Sequence, residues 1–443
     1  MAGSLHDSQL YSKLFPTGEI GRLFSDSAEL RAMLLVEGTL AKVQGAAGVI
    51  PELSGTFIHR AALELPLDPG GMAAATGQNG VPVPALVAAF RAAMQAPEHA
   101  QYLHWGATSQ DIMDTALMLR LRQVLALIDT GLGGLLTDLA NLAETHADLP
   151  MAGRTYGQLA APVSFGAVVA QWGWPLLDLR GELANIRADG LLVSLSGAAG
   201  TGSKLGPDPA ALRRALAEAL GLRDPGRSWH ADRGPVLRIA AWLARLAAAL
   251  GKIGEDLILA VQSGIGEVAL AAVGASSTMP QKQNPVAASV LVALAHQVAA
   301  LNGALLLAGS PRQQRDGADW FTEWLSLPGL VLASASALET ARALVPGIVP
   351  IPVAMAAALT ASRGMIHAEA LSFRLAAHMP RPEAQAAVKQ ACQNAMSQGR
   401  HLAEVAAETW PEIDTDDVFD PARQMGSAPA EARAFVAQAR GHG

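Results

Sequence analysis

The strongest constraint in this chain is a rhythm of apolar residues. Ile239, Leu243, Leu246, Leu250, Ile253 and Leu257 recur at intervals of four and three. Leu117, Leu121, Val124, Ile128, Leu132, Leu135, Leu139 and Leu142 keep nearly the same spacing. An α-helix turns once per 3.6 residues, so each set lies along one face of a long helix. Two such faces must be buried against other elements, and helices are the natural partners. Strand signals are sparse: "LLVSLSGAAGTG" (191–202) reads as a short strand or a loop entry. No repeat of fixed period is evident. The fold class expected is all-α.

Composition sharpens this. The chain is 51% hydrophobic, 5% aromatic and 16% charged, with mean hydropathy +0.25. Alanine, the best helix former, supplies much of the apolar content. So few charges leave little to solvate a surface, and burial between subunits is expected; a merely Ala-rich composition is the plainer reading. Net charge is −7 and no Lys/Arg cluster appears, so no nucleic-acid partner is expected. A single cysteine, Cys392, allows no intrachain disulfide and no Cys-based metal site. The N-terminus lacks a basic start followed by an apolar core, which points to the cytoplasm. Residues 286–309 contain no Asp, Glu, Lys or Arg and are long enough to span a bilayer. His296, Gln297 and Asn302 interrupt them, however, and flanking aromatic anchors are missing. The expectation is a buried helix and no membrane partner.

Breaks divide the chain into three segments. Residues 1–110 carry shorter helices with Pro/Gly interruptions. Residues 111–350 carry the long helices of a central bundle. "VPGIVPIP" (345–352) cannot continue a helix, and 351–443 read as a smaller helical domain.

Four polar islands interrupt the apolar pattern. In "HWGATSQDIMDT" (104–115), Thr108 and Ser109 precede a helix expected from about Asp111. Hydroxyls and free N–H groups at a helix N-terminus favour an anion, with ordinary N-capping as the plainer reading. His104 adds a titratable donor beside them. "GRTYGQLAAP" (153–162) holds Arg154, Thr155, Tyr156 and Gln158 in apolar surroundings. "SWHADRGP" (228–235) places His230 and Arg233 near one another, or simply caps a helix. "RQQRDGADWFTEW" (312–324) holds Arg312, Arg315 and Glu323 among tryptophans, a pattern more often structural than ligand-binding. Between two apolar stretches lies "GASSTMPQKQNP" (274–285). It has tight backbone, two proline breaks, hydroxyls, a lysine and an asparagine. That is the composition of a loop that closes over an anion and supplies a reactive hydroxyl.

"SSTMPQKQNP" resembles the signature loop of the fumarase/aspartase superfamily, whose pattern is close to G-S-S-x-M-P-x-K-x-N-P. "GATSQDIMDT" and "GRTYGQLAAP" resemble the two other conserved regions, in the same order. The likeness covers essentially the whole chain. "LFSDSAELRAMLLVEGTLAKVQGAAGVIP", "HWGATSQDIMDTALMLRLR" and "WFTEWLSLP" look more finely like the bacterial 3-carboxy-cis,cis-muconate cycloisomerases.

This resemblance implies an all-α fold with an elongated central bundle flanked by two smaller helical domains. It also implies a homotetramer whose active sites draw one conserved region from each of three subunits. The implied substrate is a small tricarboxylate, lactonised through an aci-carboxylate without cofactor or metal. Ser276 would transfer the proton, with Lys282 and Asn284 binding a carboxylate; Thr108 and Ser109 match the anion-binding pair. Ser277, Met279, His104, Arg154, Thr155, Tyr156, Gln158 and His230 complete the expected site, with Arg315 and Arg233 as further carboxylate clamps. The chain departs from the superfamily pattern at Tyr156, where many lyases have histidine. It departs from some cycloisomerases at Leu159, Ala275, Gln281 and Gln283. A carboxylate leaving group needs no protonation, which suits Tyr156. The alternatives are a C–N lyase releasing fumarate and a catalytically silent structural relative.

Overall fold

The computed structural model describes residues 4–275, 279 and 282–441. Helix accounts for 66% and strand for 6%, so the all-α expectation holds. Three antiparallel two-stranded pairs supply the strands among the described residues. The two apolar rows behave as their spacing demands. Ile239, Leu243, Leu246, Leu250, Ile253 and Leu257 lie on the Gly234–Ala260 helix and are all fully buried. Burial of such a side chain contributes about 1.5–3 kcal/mol each, an upper bound on the gain. On the Ser109–Thr145 helix only Leu117 and Leu142 of the second row keep partial exposure. This helix starts at Ser109, two residues before the expected Asp111.

The chain forms two compact units. The first comprises Met1–Gly131, Leu179–Ala248 and Ala293–Glu339. In it the Asp26–Ala46 helix packs on Glu52–Glu64 and on Pro209–Leu220. Its core includes Leu40, Ile58, Leu86, Phe90 and Leu103. The stretch 191–202 is loop, tied to Arg223 by one parallel bridge at Leu192.

The second unit comprises Leu132–Asp178, Ala249–Val292 and Thr340–Gly443. All three strand pairs belong to it. Pro150–Thr155 and Gln158–Ser164 form a hairpin that the sequence reading passed over. Its two-residue turn is Tyr156–Gly157, with φ of 52° and 73°, the double left-handed geometry of a type I′ turn. Val268–Leu270 pairs with Ile348–Pro350 just beyond the helix that ends at Leu344. A separate apolar cluster packs around Leu371, Leu375, Val388 and Leu402.

Three helices are long and apolar enough to cross a membrane by length and composition: Ser109–Thr145, Val286–Leu307 and Gly317–Gly347. The second has only 28% of its most apolar window buried within the chain. The sequence reading expected this helix to be covered, and the single chain does not cover it. Leu307 is 81% exposed.

Candidate active site

The first unit assembles a polar cluster at the start of the Ser109–Thr145 helix. Its centre is Asp111, which is fully buried. Asp111 Oδ1 accepts the N–H of Ser196 at 2.8 Å and faces His230 Nε2 at 2.8 Å. Oδ2 accepts the N–H of Gly197 at 2.9 Å and of Thr108 at 3.0 Å. One turn along, the Thr115 hydroxyl donates to Ser194 O and accepts Ser194 N–H. The 194–197 loop is thereby laced to the helix start. Close approach of the 104–109 turn to this region needs glycine: a Cβ on Gly106 would lie 2.3 Å from Lys204 O, and its φ is +72°.

Arg315 completes the cluster. Its Nε donates to Gln110 Oε1 at 2.8 Å, and Nη2 reaches Thr108 Oγ1 and Ala198 O, each at 3.2 Å. Buried Gln110 is held in turn by donation from Nε2 to His230 O. Asp316, next in sequence, is bound by Arg312. Among the described residues Arg315 makes no ion pair. An arginine that rests on neutral acceptors beside a threonine hydroxyl keeps its charge for an incoming anion.

His104 sits at φ 62°, an uncommon backbone state for a non-glycine residue. Its Nδ1 is 2.6 Å from Glu37 Oε1. Burial alone would lower this imidazole, but attraction and hydrogen bonding to Glu37, aided by Asp111, hold it above the ordinary value of 6.5. Such a pair fixes the ring and favours the cationic form.

One expected clamp, Arg233, and one expected substrate-binding residue, Arg154, are bound by carboxylates of the chain itself. Arg233 is 4% exposed: Nη1 and Nη2 bind both oxygens of Asp114 at 2.8 and 3.0 Å, while Nε and Nη2 bind both oxygens of Glu323 at 2.9 and 2.7 Å. It holds two buried carboxylates with four of its five N–H donors, so its charge is already engaged by the protein. His230 pairs with Asp111 and lines the same small cavity as Arg233, so the two lie near one another as the sequence suggested. Arg154 donates to both oxygens of buried Glu267 at 2.7 and 2.9 Å, so it anchors the hairpin and is not a free clamp.

The remaining expected residues belong to the second unit. Thr155, Tyr156 and Gln158 occupy the exposed hairpin tip. In the signature loop, Gly274–Ala275 pairs with Gln283–Asn284, closing the loop at its base. Lys282 is exposed and in no ion pair among the described residues. Its N–H donates to Met279 O at 3.0 Å. Ser276 and Ser277 lie outside the described residues. Among the described residues no group of three or more His, Cys, Asp and Glu side chains is placed to hold a metal ion.

Sequence reasoning missed Glu37, Asp111 and Gln110 as site-building residues. Gln110 and Asp111 stood inside a quoted motif, so adjacency to Thr108 was an available signal. Glu37 lies 67 residues from His104 and carried none.

The lyase family matches residues 65–300 of this chain. A 3-carboxy-cis,cis-muconate cycloisomerase of Pseudomonas aeruginosa is 37% identical, spanning 98% of this chain and 96% of the relative. The chain belongs to the lyase family of the fumarase/aspartase superfamily. Another lyase-family relative, the nitrosuccinate lyase of Streptomyces davaonensis, is 35% identical over 96% of this chain and 93% of its own length. The crystal structure of the 3-carboxy-cis,cis-muconate lactonizing enzyme from Pseudomonas putida superposes with a TM-score of 0.91. It is 34% identical and covers 98% of this chain and 99% of its own. The lyase fold of this chain is thus supported by sequence and by shape.

Proposed function

We propose that this protein is an intramolecular lyase that lactonises 3-carboxy-cis,cis-muconate to 4-carboxymuconolactone. The observation that carries the reading is Arg315, held by Gln110 and Thr108 without a carboxylate partner, in a chain 37% identical to a protein of that name.

The chemistry asks for such a cation. One substrate carboxylate oxygen adds across a double bond, closing the lactone. The electron pair moves toward another carboxylate, giving an aci-carboxylate with two negative charges. The carbon alpha to that carboxylate then takes a proton. The trianion becomes a dianion and one proton is consumed. Donors aimed at the growing charge lower the barrier more than donors aimed at the ground state. Arg315 and Thr108 serve one carboxylate. Lys282 and Asn284 bind another, and Ser276 carries the proton, both on the strength of the loop motif. In this direction the serine hydroxyl gives up its proton, and the alkoxide left behind needs positive charge, a part the loop motif assigns to Lys282. His104, whose imidazole Glu37 holds above its ordinary pKa, favours the charged form beside the Thr108 turn. The role needs no metal or redox group.

The site residues are split between the units, and we read the active protein as a cytoplasmic homotetramer that shares its sites between subunits. Two observations support this. The hairpin tip presents Tyr156 fully to solvent in the single chain, and the Val286–Leu307 helix leaves most of its apolar window open. A partner copy covers both economically.

The test is an assay on 3-carboxy-cis,cis-muconate with two readouts. Loss of the conjugated-diene absorbance with uptake of one proton per turnover supports the reading. Inertness toward this substrate, together with release of fumarate from a succinyl-amine or nitrosuccinate substrate, replaces it by a C–N lyase. Inertness toward all of them leaves the silent relative.

A further inference from the structure

The first unit contains a cavity of about 500 Å³ that shares none of Thr108, His104 and Arg315. That volume suits a small organic ligand. Phe24, Met33, Met72, Met113, Trp320 and Trp324 are part of its apolar wall. The two tryptophan rings lie 4.7 Å apart, centroid to centroid. Sulfur and aromatic surfaces of this kind adapt to a flat ring.

Its polar groups are Arg120, Asp26, Glu29, Thr76, Asp114 and Glu323. Their charges are not equivalent. Asp114 and Glu323 are both bound through both oxygens to Arg233. Asp26 is exposed at the rim. The side chain of Glu29 is 40% exposed, and its carboxylate stays 3.6 Å from Arg120 Nη1, beyond a close hydrogen bond. Arg120 itself is 7% exposed. Nη1 reaches only Leu23 O, at 3.4 Å, and the guanidinium carbon lies 5.3 Å from the Phe24 ring centre. Nε is buried with no acceptor, and Nη2 makes no hydrogen bond among the described residues. Burial pulls this guanidinium below its ordinary pKa against the weaker pull of Glu29. A buried cation whose one ion pair is long and whose Nε lacks an acceptor keeps donors for a further anion.

We propose that this cavity binds an aromatic or alicyclic monocarboxylate, with the carboxylate on Arg120 and the ring against Trp320, Trp324 and the methionines. The carboxylate supplies the missing acceptor, and the ring replaces water on the apolar wall.

The experiment is a ligand-observed NMR titration of the full-length protein with three probes of one shape: benzoate, benzamide and benzylammonium. A charge-assisted hydrogen bond makes benzoate bind roughly tenfold or more tightly than benzamide. Arg120→Met removes that preference. Ala73→Trp, which fills the rim from an exposed position on the lining, blocks all three. Arg315→Met leaves benzoate affinity unchanged, which separates this cavity from the substrate cluster. If Arg120→Met does not fold, Ala73→Trp and the probe series still decide the matter. Equal affinity for benzoate and benzamide, preference for benzylammonium, loss of benzoate in Arg315→Met, or no saturable binding each overturns the proposal. The outcome does not depend on which reaction the protein catalyses.

Discussion

Replacing Asp111 by asparagine tests how the substrate cluster is held. The carboxylate is fully buried. Its four close partners are the N–H groups of Ser196, Gly197 and Thr108 and the Nε2 of His230, all between 2.8 and 3.0 Å. Asparagine keeps the shape but has one acceptor oxygen. If the NH₂ group takes the place of Oδ2 it faces the N–H groups of Gly197 and Thr108 and orphans both; if it takes the place of Oδ1 it orphans Ser196 N–H alone, because His230 Nε2 can accept in the other tautomer. One or two orphaned buried groups at about 1–3 kcal/mol each give a loss of about 1–6 kcal/mol. The less costly orientation and local relaxation move the result toward the lower end, so about 2 kcal/mol is expected, a sizeable share of the ~5–15 kcal/mol typical of a folded domain. Urea unfolding measures it as a lower midpoint with an unchanged slope. Where the fold survives, KM for the tricarboxylate rises more than kcat falls, because Thr108 and the loop under Arg315 lose their tether. A stability change below about 0.5 kcal/mol, the range of an ordinary surface substitution, refutes the role of Asp111 as the hub.

Three further outcomes follow from the same geometry. His104 is raised in the folded state, so its pairing with Glu37 stabilises fully below the unfolded pKa near 6.5 and is lost as pH rises through the higher folded value. Urea midpoints of the wild type and His104→Gln therefore converge as pH increases across that window, and parallel profiles contradict the pairing. Arg233→Met strands two buried carboxylates and lowers stability by about 3–5 kcal/mol, read by denaturation; adding Asp114→Asn and Glu323→Gln recovers part of the loss. Ser276→Ala lowers kcat by roughly 10²–10⁴-fold with stability unchanged, whereas near-wild-type turnover removes Ser276 from the mechanism.

The helices were legible because burial writes itself into local spacing. The rows around Ile239 and Leu121 needed no knowledge of what they pack on. The turn that Arg315 contacts was legible too, since Thr108 and Gln110 stand together in one polar island of the sequence. Partnership was not legible. Arg233 looked like a clamp because its carboxylates lie 119 and 90 residues away, and Arg154 looked free to bind substrate because Glu267 lies 113 residues away. An arginine reads the same in sequence whether its counter-charge is a substrate or a distant side chain. The hairpin was hidden for a different reason: its strands carry Pro, Ala and Gly instead of alternating β-branched residues, and only the Tyr156–Gly157 turn marks it.

The central claim is that Arg315, left without a carboxylate of its own, receives one from the substrate. The direct measurement is steady-state kinetics of Arg315→Met against wild type on 3-carboxy-cis,cis-muconate, with unfolding midpoints as a control. Loss of a charge-assisted bond worth about 1.5–3 kcal/mol predicts kcat/KM lower by roughly 10- to 150-fold at unchanged stability. An unchanged kcat/KM in a folded variant contradicts the claim.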